Sequence, residues 1–512
     1  MLARVISSAT LGVDAYTVEV EADIQQQLPA FVTVGLPEGA VRESKERVTA
    51  AIKNSDFIFP SKRVTINLAP ADIRKEGSAF DLPIAVGILA ATGQILRDRS
   101  DEFVILGELS LDGALRPVPG VLPMAMLYKN SDGLKGLIVP KENAKEAAMA
   151  GTLPVFPVHS LKEAVHFLED ESTIRRFEVD ADSAFKAAHK YSIDFADVKG
   201  QESAKRALEV AAAGGHNIVM IGPPGSGKTM LARRMPTILP NMSLEEALET
   251  TKIHSVAGRL PADTALVATR PFRSPHHTIS YAGLIGGGAI PKPGEVSLAH
   301  HGVLFLDELP EFKKDILEML RQPMEDNAVT ISRAATSLTY PAGFMLIAAM
   351  NPCPCGYYGD PAHECHCSTS EIQRYMSRIS GPLMDRIDIH ITVPSVKFKE
   401  LSSEMCGERS ALIRERVNRA RETQLERFAD ESNMFCNAHM ESRDIRRYCQ
   451  IDDQSQSLLA AAINRQGLSA RAYDRILKVA RTIADLADSP KIELGYIAEA
   501  IHYRTLDRKL WL

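Results

Sequence analysis

The spacing of apolar and polar positions changes several times along the chain, and the changes divide it. Across residues 1–172 strand-like and helix-like stretches alternate. Thr17–Ala22 alternates apolar with polar residues, the period of a half-buried strand. Phe31–Val34, Arg63–Leu68, Phe103–Leu109 and Gly136–Val139 are further strands. Ala40–Lys53 has helical spacing, and the apolar run Leu82–Ala91 reads as a buried helix. Gly35, Gly113 and Pro119-Gly120 punctuate these elements, so an α/β unit is expected over 1–172. Residues 173–196 are polar and charged without an apolar period, which predicts a linker with some helix. From Asp197 to residue 398 the order becomes helix, strand, glycine loop and helix, then buried strands at Val303–Leu306, Phe344–Ala349 and Ile387–Val393. That is the order of a doubly wound parallel sheet. Beyond Pro394 the strands stop. Residues 408–431, 442–465 and 469–487 carry helical spacing, and 399–512 is expected to form a helical lid.

Composition narrows the picture. A chain of 512 residues exceeds one core and predicts two to four domains. A formal net charge of −6 excludes a protein coated in basic surface, though not a narrow basic channel. The opening Met-Leu-Ala-Arg-Val lacks the basic-then-apolar organisation of a secretory signal. Leu82–Ala91 is far short of the ~20 residues that span a bilayer. A cytoplasmic protein without a membrane partner is therefore expected. Of seven cysteines, Cys353, Cys355, Cys365 and Cys367 lie close together as C-x-C-x₉-C-x-C, which suggests metal before disulfides. Four thiolates make a closed, structural zinc site, and the alternative is a loop of free thiols. The pairs His276-His277 and His300-His301 are expected to pack or hydrogen-bond rather than to ligate metal.

The strongest chemical signal is Gly222-Pro223-Pro224-Gly225-Ser226-Gly227-Lys228-Thr229, which fits the phosphate-loop pattern G-x-x-x-x-G-K-[ST]. An apolar strand, Asn217–Ile221, precedes it, and Met230–Met235 can open a helix behind it. Glycines let backbone N–H groups face phosphate oxygens at the positive end of that helix. Lys228 then neutralises the β and γ phosphates of ATP, and the Thr229 hydroxyl holds Mg²⁺. A glycine turn with a surface lysine is the alternative, and the flanking strand and helix argue against it. Val303–Leu306 runs into Asp307 and Glu308, one carboxylate for the Mg²⁺ shell and one for polarising the attacking water.

Five further motifs add a resemblance: Arg270-Pro-Phe-Arg-Ser-Pro-His-His-Thr278, Gly302–Pro310, Asn351-Pro-Cys-Pro-Cys-Gly356, Gly381-Pro-Leu-Met-Asp-Arg-Ile-Asp388 and Leu468-Ser-Ala-Arg-Ala472. Through them residues 197–512 resemble the magnesium-chelatase-like branch of the AAA+ ATPases, related to the replicative MCM helicases. Over its whole length the chain resembles the bacterial ComM/YifB family of hexameric helicases, linked to branch migration during natural transformation. The resemblance implies an AAA+ motor with a C-terminal helical lid, acting on single-stranded or branched DNA as a homohexamer with shared ATP sites. A chelatase-type motor that remodels a protein partner is the other reading. It further implies Asn351 as a γ-phosphate sensor, Arg386 as a finger into the neighbouring subunit, and Arg471 as a second sensor, with Arg475 and Arg481 close by. Asn351 also suits an Asn-Pro turn, and Arg386 a salt bridge to Asp385 or Asp388. Two inserts are implied, one within Pro271–Ala299 and a hairpin over Ala328–Tyr340 with Arg333, a candidate DNA contact, near its tip.

Leu106-Gly-Glu-Leu-Ser-Leu-Asp-Gly-Ala-Leu-Arg116 and Val139-Pro-Lys-Glu-Asn143 resemble the Lon-type protease fold, related to domain 2 of ribosomal protein S5. Lon proteases pair a serine with a lysine. Here Ala79 stands at the serine position and Leu122 at the lysine position, with Ser78 one place off. A non-proteolytic binding or assembly module is expected.

Overall fold

The computed structural model describes residues 2–75, 77–95, 99–131, 133–180, 183, 185, 191–261, 264–288, 291–332, 337–395, 407–431, 434–466 and 469–504. The chain forms two compact units, Met1–His189 with Leu244–Ala268, and Lys190–Ser243 with Thr269–Leu512. Sequence order alone places Leu244–Ala268 with the phosphate loop, but the segment packs in the first unit.

The first unit is built on β1 (Leu2–Leu11), β2 (Asp14–Gln25), β3 (Ala30–Val34), β4 (Arg63–Ala69), β5 (Phe103–Ile105), β8 (Gly136–Pro140) and β9 (Val155–Val158), in the order β3-β4-β2-β1-β5-β8-β9. A small ribbon, β6 (Glu108–Leu109) with β7 (Leu115–Arg116), lies apart from that sheet. The Phe103–Leu109 strand expected from sequence therefore breaks, at Leu106-Gly107, into β5 and β6. Pairing is antiparallel from β1 to β2 and from β2 to β4, and parallel elsewhere in the sheet. The helix Asp81–Ala91 is buried along its whole length, which is why its sequence shows no polar face. It lies so close to the sheet that a Cβ on Gly87 would come 3.3 Å from the Ala22 Cβ.

The helix Leu244–Val256 docks in this unit through a buried polar knot. The Gly120 N–H donates to Ser255 Oγ at 3.0 Å, and the Ser255 hydroxyl donates to the Glu146 carboxylate. Glu146 also accepts from the Leu122 N–H at 2.9 Å and from Asn143 Nδ2 at 3.2 Å. Burial pushes the Glu146 carboxyl above the usual carboxylate range. Ala79 is buried in the apolar cluster that holds Val104, Leu106 and Val121. The Ser78 hydroxyl donates to the Glu108 carboxylate, and the Lys75 ammonium donates to the Ile73 carbonyl at 2.7 Å.

The second unit holds a parallel sheet of β10 (Ile218–Ile221), β11 (Phe272–Arg273), β14 (Val303–Leu306), β17 (Met345–Met350) and β18 (Ile389–Thr392), in the order β11-β14-β17-β10-β18. Two ribbons leave it, β12 (Gly286–Gly287) with β13 (Lys292–Pro293) and β15 (Ala328–Ser332) with β16 (Ser337–Pro341). This is the AAA+ arrangement of a doubly wound parallel sheet followed by helices.

Those helices are Ser410–Arg427, Ser442–Tyr448, Asp453–Gln466, Ala470–Leu486 and Leu494–His502. The single helix expected over 442–465 is thus two, because the chain turns at Asp452, whose carboxylate accepts the Ser455 N–H at 2.8 Å. Pro490 ends one helix, as expected, but a short one with Ile497, Ala500 and Ile501 buried follows it. Asp388, just before β18, ties this lid to the sheet. Burial would raise its carboxyl, but Arg475 and then His216 outweigh burial and hold it well below the usual range. His216 Nε2 also meets Thr482 Oγ1 at 2.8 Å. No helix among the described residues is long and apolar enough to cross a membrane.

Candidate functional site

Because β14, β17 and β10 are neighbours in the sheet, their C-terminal ends deliver the acidic pair, Asn351 and the glycine loop to one place. The loop leaves β10 and turns on Gly225 (φ +76°) and Gly227 (φ +87°) into the helix Lys228–Arg234. At Gly222 a Cβ would sit 2.1 Å from the Val393 carbonyl oxygen, so only glycine fits beside the end of β18.

Lys228 folds back over the loop. Its ammonium donates to the carbonyls of Gly222 at 2.8 Å and Pro223 at 2.9 Å, and lies 3.3 Å from both Ser226 Oγ and Asn351 Oδ1. Burial lowers its pKa, and the Asp307 carboxylate opposes that. The Thr229 hydroxyl donates to Asp307 Oδ2 at 2.7 Å, which brings together the two side chains expected around Mg²⁺. Met230 follows, partly exposed at the helix start.

Glu308 adopts a left-handed backbone, φ +52°, a conformation that costs a non-glycine residue about 1–3 kcal/mol. Its N–H donates to Asp307 Oδ1 at 3.0 Å, and its own carboxylate points out, 59% exposed. His277 Nδ1 lies 3.4 Å from Glu308 Oε2. The sequence marked the pair His276-His277 for packing or hydrogen bonding and gave it no place in this site. The available signal is topological: His277 follows β11, the neighbour of the strand that ends in Asp307-Glu308.

The candidate arginines differ. Arg386 is turned inward, with its side chain 10% exposed. It is ion-paired with Glu325 and donates to the Pro382 carbonyl at 2.7 Å. Its partner is neither Asp385 nor Asp388. In the helix Ala470–Leu486, Arg475 is committed to Asp388, and Arg481 to Asp485 and the carbonyls of Ser489 and Pro490. Arg471 stays on the surface, 63% exposed and 3.8 Å from Asp385. Arg333 lies outside the described residues, although β15 and β16 on either side form the expected ribbon.

Three family profiles match the chain: magnesium chelatase, subunit ChlI, over residues 194–401; subunit ChlI of Mg-chelatase over 20–143; and the magnesium chelatase subunit ChlI C-terminal region over 407–504. The competence protein ComM of Haemophilus influenzae is 44% identical over 511 residues, covering 99% of this chain and 98% of its own. The chain belongs to the ComM/YifB family of magnesium-chelatase-like proteins. The uncharacterized protein YifB of Escherichia coli is likewise 44% identical over 510 residues, 99% of this chain and 98% of its own. Lon protease 2 of Bacillus subtilis is 34% identical over 154 residues, 27% of this chain and 26% of that protein.

In this member of the ComM/YifB family the four clustered thiols converge. The sulfurs of Cys353 and Cys355 are 3.3 Å apart, those of Cys353 and Cys365 3.7 Å, and those of Cys355 and Cys365 3.6 Å. All four sulfurs fall within 4.8 Å of one another. Zinc–sulfur bonds of 2.3 Å in a tetrahedron put sulfurs about 3.8 Å apart, so the set fits zinc. The Tyr357 N–H, with the Cys353 thiol, pulls the Cys355 thiol down to about 6, while burial and the neighbouring thiols push those of Cys365 and Cys367 up. His363 instead faces the Asp360 carboxylate at 3.2 Å. The loop also touches the phosphate loop: at Gly356 (φ +90°) a Cβ would sit 2.6 Å from Pro224 Cδ. Beyond Glu308, an open cleft of about 530 Å³ is lined by Lys313, Lys314, Arg374 and Arg378, with Glu311 paired to Arg378 at 2.8 Å.

Proposed function

We propose that this chain is an ATP-driven DNA translocase or helicase that works in the cytoplasm as a homohexamer and promotes branch migration when DNA recombines during natural transformation. The observation that carries the motor is the convergence of Lys228, Thr229, Asp307, Glu308 and Asn351 on three adjacent strand ends. The end-to-end likeness to a competence protein supports the DNA substrate, and the cleft lined by Lys313, Lys314 and Arg374 suits a polyanion.

In this scheme residues 222–230 cradle the nucleotide and Lys228 balances the β and γ phosphates. Thr229 and Asp307 would hold Mg²⁺, which when bound draws charge off the transferred phosphate. Glu308 orients and deprotonates the water, and Asn351 reads the γ-phosphate. Arg386 leaves Glu325 to stabilise charge in the next subunit's site, and Arg471 acts as a second sensor. The two ribbons, with Arg333, contact the DNA backbone. Cys353, Cys355, Cys365 and Cys367 hold a structural zinc, and the first unit serves as a binding or assembly module.

The magnesium-chelatase profiles favour a second reading, a motor that remodels a protein client. ATP hydrolysis with and without single-stranded and forked DNA, using Glu308→Gln as the inactive control, separates the two. Stimulation by DNA supports the translocase. Hydrolysis abolished in Glu308→Gln but indifferent to DNA rejects it in favour of a protein client.

A further inference from the structure

The cleft beyond Glu308 sets four cations, Lys313, Lys314, Arg374 and Arg378, against one carboxylate, Glu311. In a chain of formal net charge −6 that is a local reversal of sign. Arg378 is neutralised by Glu311 at 2.8 Å and donates to the Pro310 carbonyl at 3.3 Å, so it ties one wall to the other. The remaining three are exposed, and among the described residues no carboxylate stands at ion-pair distance from them. Glu318 and Glu371 lie near enough to feel Lys314 and Arg374. They are held elsewhere, by Arg321 at 2.9 Å and by the Ser368 N–H at 2.8 Å.

Both walls are fixed from behind. Leu309, Pro310 and Phe312 are buried, so Lys313 and Lys314 leave an anchored stretch. Opposite, Arg374 precedes Tyr375 and Met376, both buried, and Tyr375 takes a hydrogen bond from the Asn351 N–H. The helix that carries Arg374 begins two residues after Cys367. Charges on so fixed a frame need little ordering when a ligand arrives. The lining offers no exposed apolar side chain, which a protein partner would need for the core of its interface. A backbone of regularly spaced phosphates has no such need. The volume, about 530 Å³, is that of a pocket for one drug-sized molecule, which admits one strand and not a duplex.

We propose that this cleft is a contact site for single-stranded DNA, in which Lys313, Lys314 and Arg374 each neutralise a backbone phosphate. Neither wall belongs to a ribbon, so the site adds to the contacts given to the ribbons. It rests on the translocase reading and deepens it by naming where a strand lies.

The test follows binding of a labelled oligothymidine to the full chain by fluorescence anisotropy across a salt series, with labelled poly-glutamate as a second probe. For a single strand, log K falls with log salt by about 0.7 per phosphate neutralised. The triple variant Lys313→Gln, Lys314→Gln, Arg374→Gln should therefore lose about 2 from that slope and bind roughly 10²-fold more weakly at about 0.1 M salt. Lys313→Arg, Lys314→Arg, Arg374→Lys keeps the charges and should keep the slope. An unchanged slope and affinity in the glutamine variant, while the parent binds DNA, overturns the cleft and leaves the translocase reading standing. An equal loss in the charge-keeping variant also overturns it, because the loss is then structural. Poly-glutamate binding that disappears in the glutamine variant, with DNA binding unmoved, assigns the cleft to an acidic protein segment instead. A parent that binds no single strand at any salt removes the translocase reading and the cleft site with it.

Discussion

Asn351 and Lys228 face one another across 3.3 Å, although one follows β17 and the other opens the helix after β10. A side chain so placed acts on charge that develops late, so Asn351→Ala should cut kcat by roughly 10²-fold, the usual cost of one aimed donor. Nucleotide affinity should stay within a factor of a few. Steady-state hydrolysis and analogue binding check both. A second expectation concerns Asp81, buried and paired with Arg47 at 2.7 Å. Burial, against the pull of Arg47, raises its carboxyl to about 6. The folded chain then holds a proton that the unfolded chain, titrating near 3.9, gives up earlier. The contribution is complete below the unfolded value and is lost as pH rises to about 6, at no more than about 1.4 kcal/mol per pH unit. Asp81→Asn should flatten the fall in urea midpoint across that window, read by pulse proteolysis. Residues inside one contiguous motif were legible because their neighbours in sequence set their geometry. His277 and the Glu325 partner of Arg386 were not, because each contact joins separate elements.

Strands were readable wherever a buried sheet enforces an apolar run. Val303–Leu306 matches to the residue, and Met345–Met350 is shifted by one. Less readable were elements whose packing is decided elsewhere. Leu244–Val256 looks like part of the phosphate-loop half and yet docks through Ser255 on Glu146. The cysteine loop shows why such docking matters for chemistry. Gly356 abuts Pro224, and Cys353 follows Asn351 by two residues, so the thiol knot forms one wall of the phosphate loop. Cys365→Ser is predicted to abolish zinc binding and to raise KM for ATP. Gly356→Ala should raise KM in the same way while keeping its zinc, since the added methyl pushes Pro224 and occupies a left-handed position. Zinc content by elemental analysis, set beside ATP titrations, tests both. An unchanged KM in a zinc-free variant would break the link.

At the scale of the whole molecule the decisive question is whether one chain holds a complete site. Lys228, Thr229, Asp307, Glu308 and Asn351 assemble within the second unit, but Arg386 is paired with Glu325. Within a single chain Arg386 is thus held in an ion pair, whereas the finger reading requires it to serve another copy. Mixing gives a test that neither single variant can. Lys228→Ala removes the pocket and keeps the finger, while Arg386→Ala keeps the pocket and removes the finger. Each alone should lose most hydrolysis, by roughly 10²-fold or more. In rings formed from equal amounts, roughly one interface in four places an intact pocket beside an intact finger, if assembly is random. Hydrolysis should then rise well above the sum of the separate activities, and should do so only after the chains have exchanged. If Arg386 works within its own chain, no mixture can restore a complete site, and activity will remain at that sum whatever the ratio.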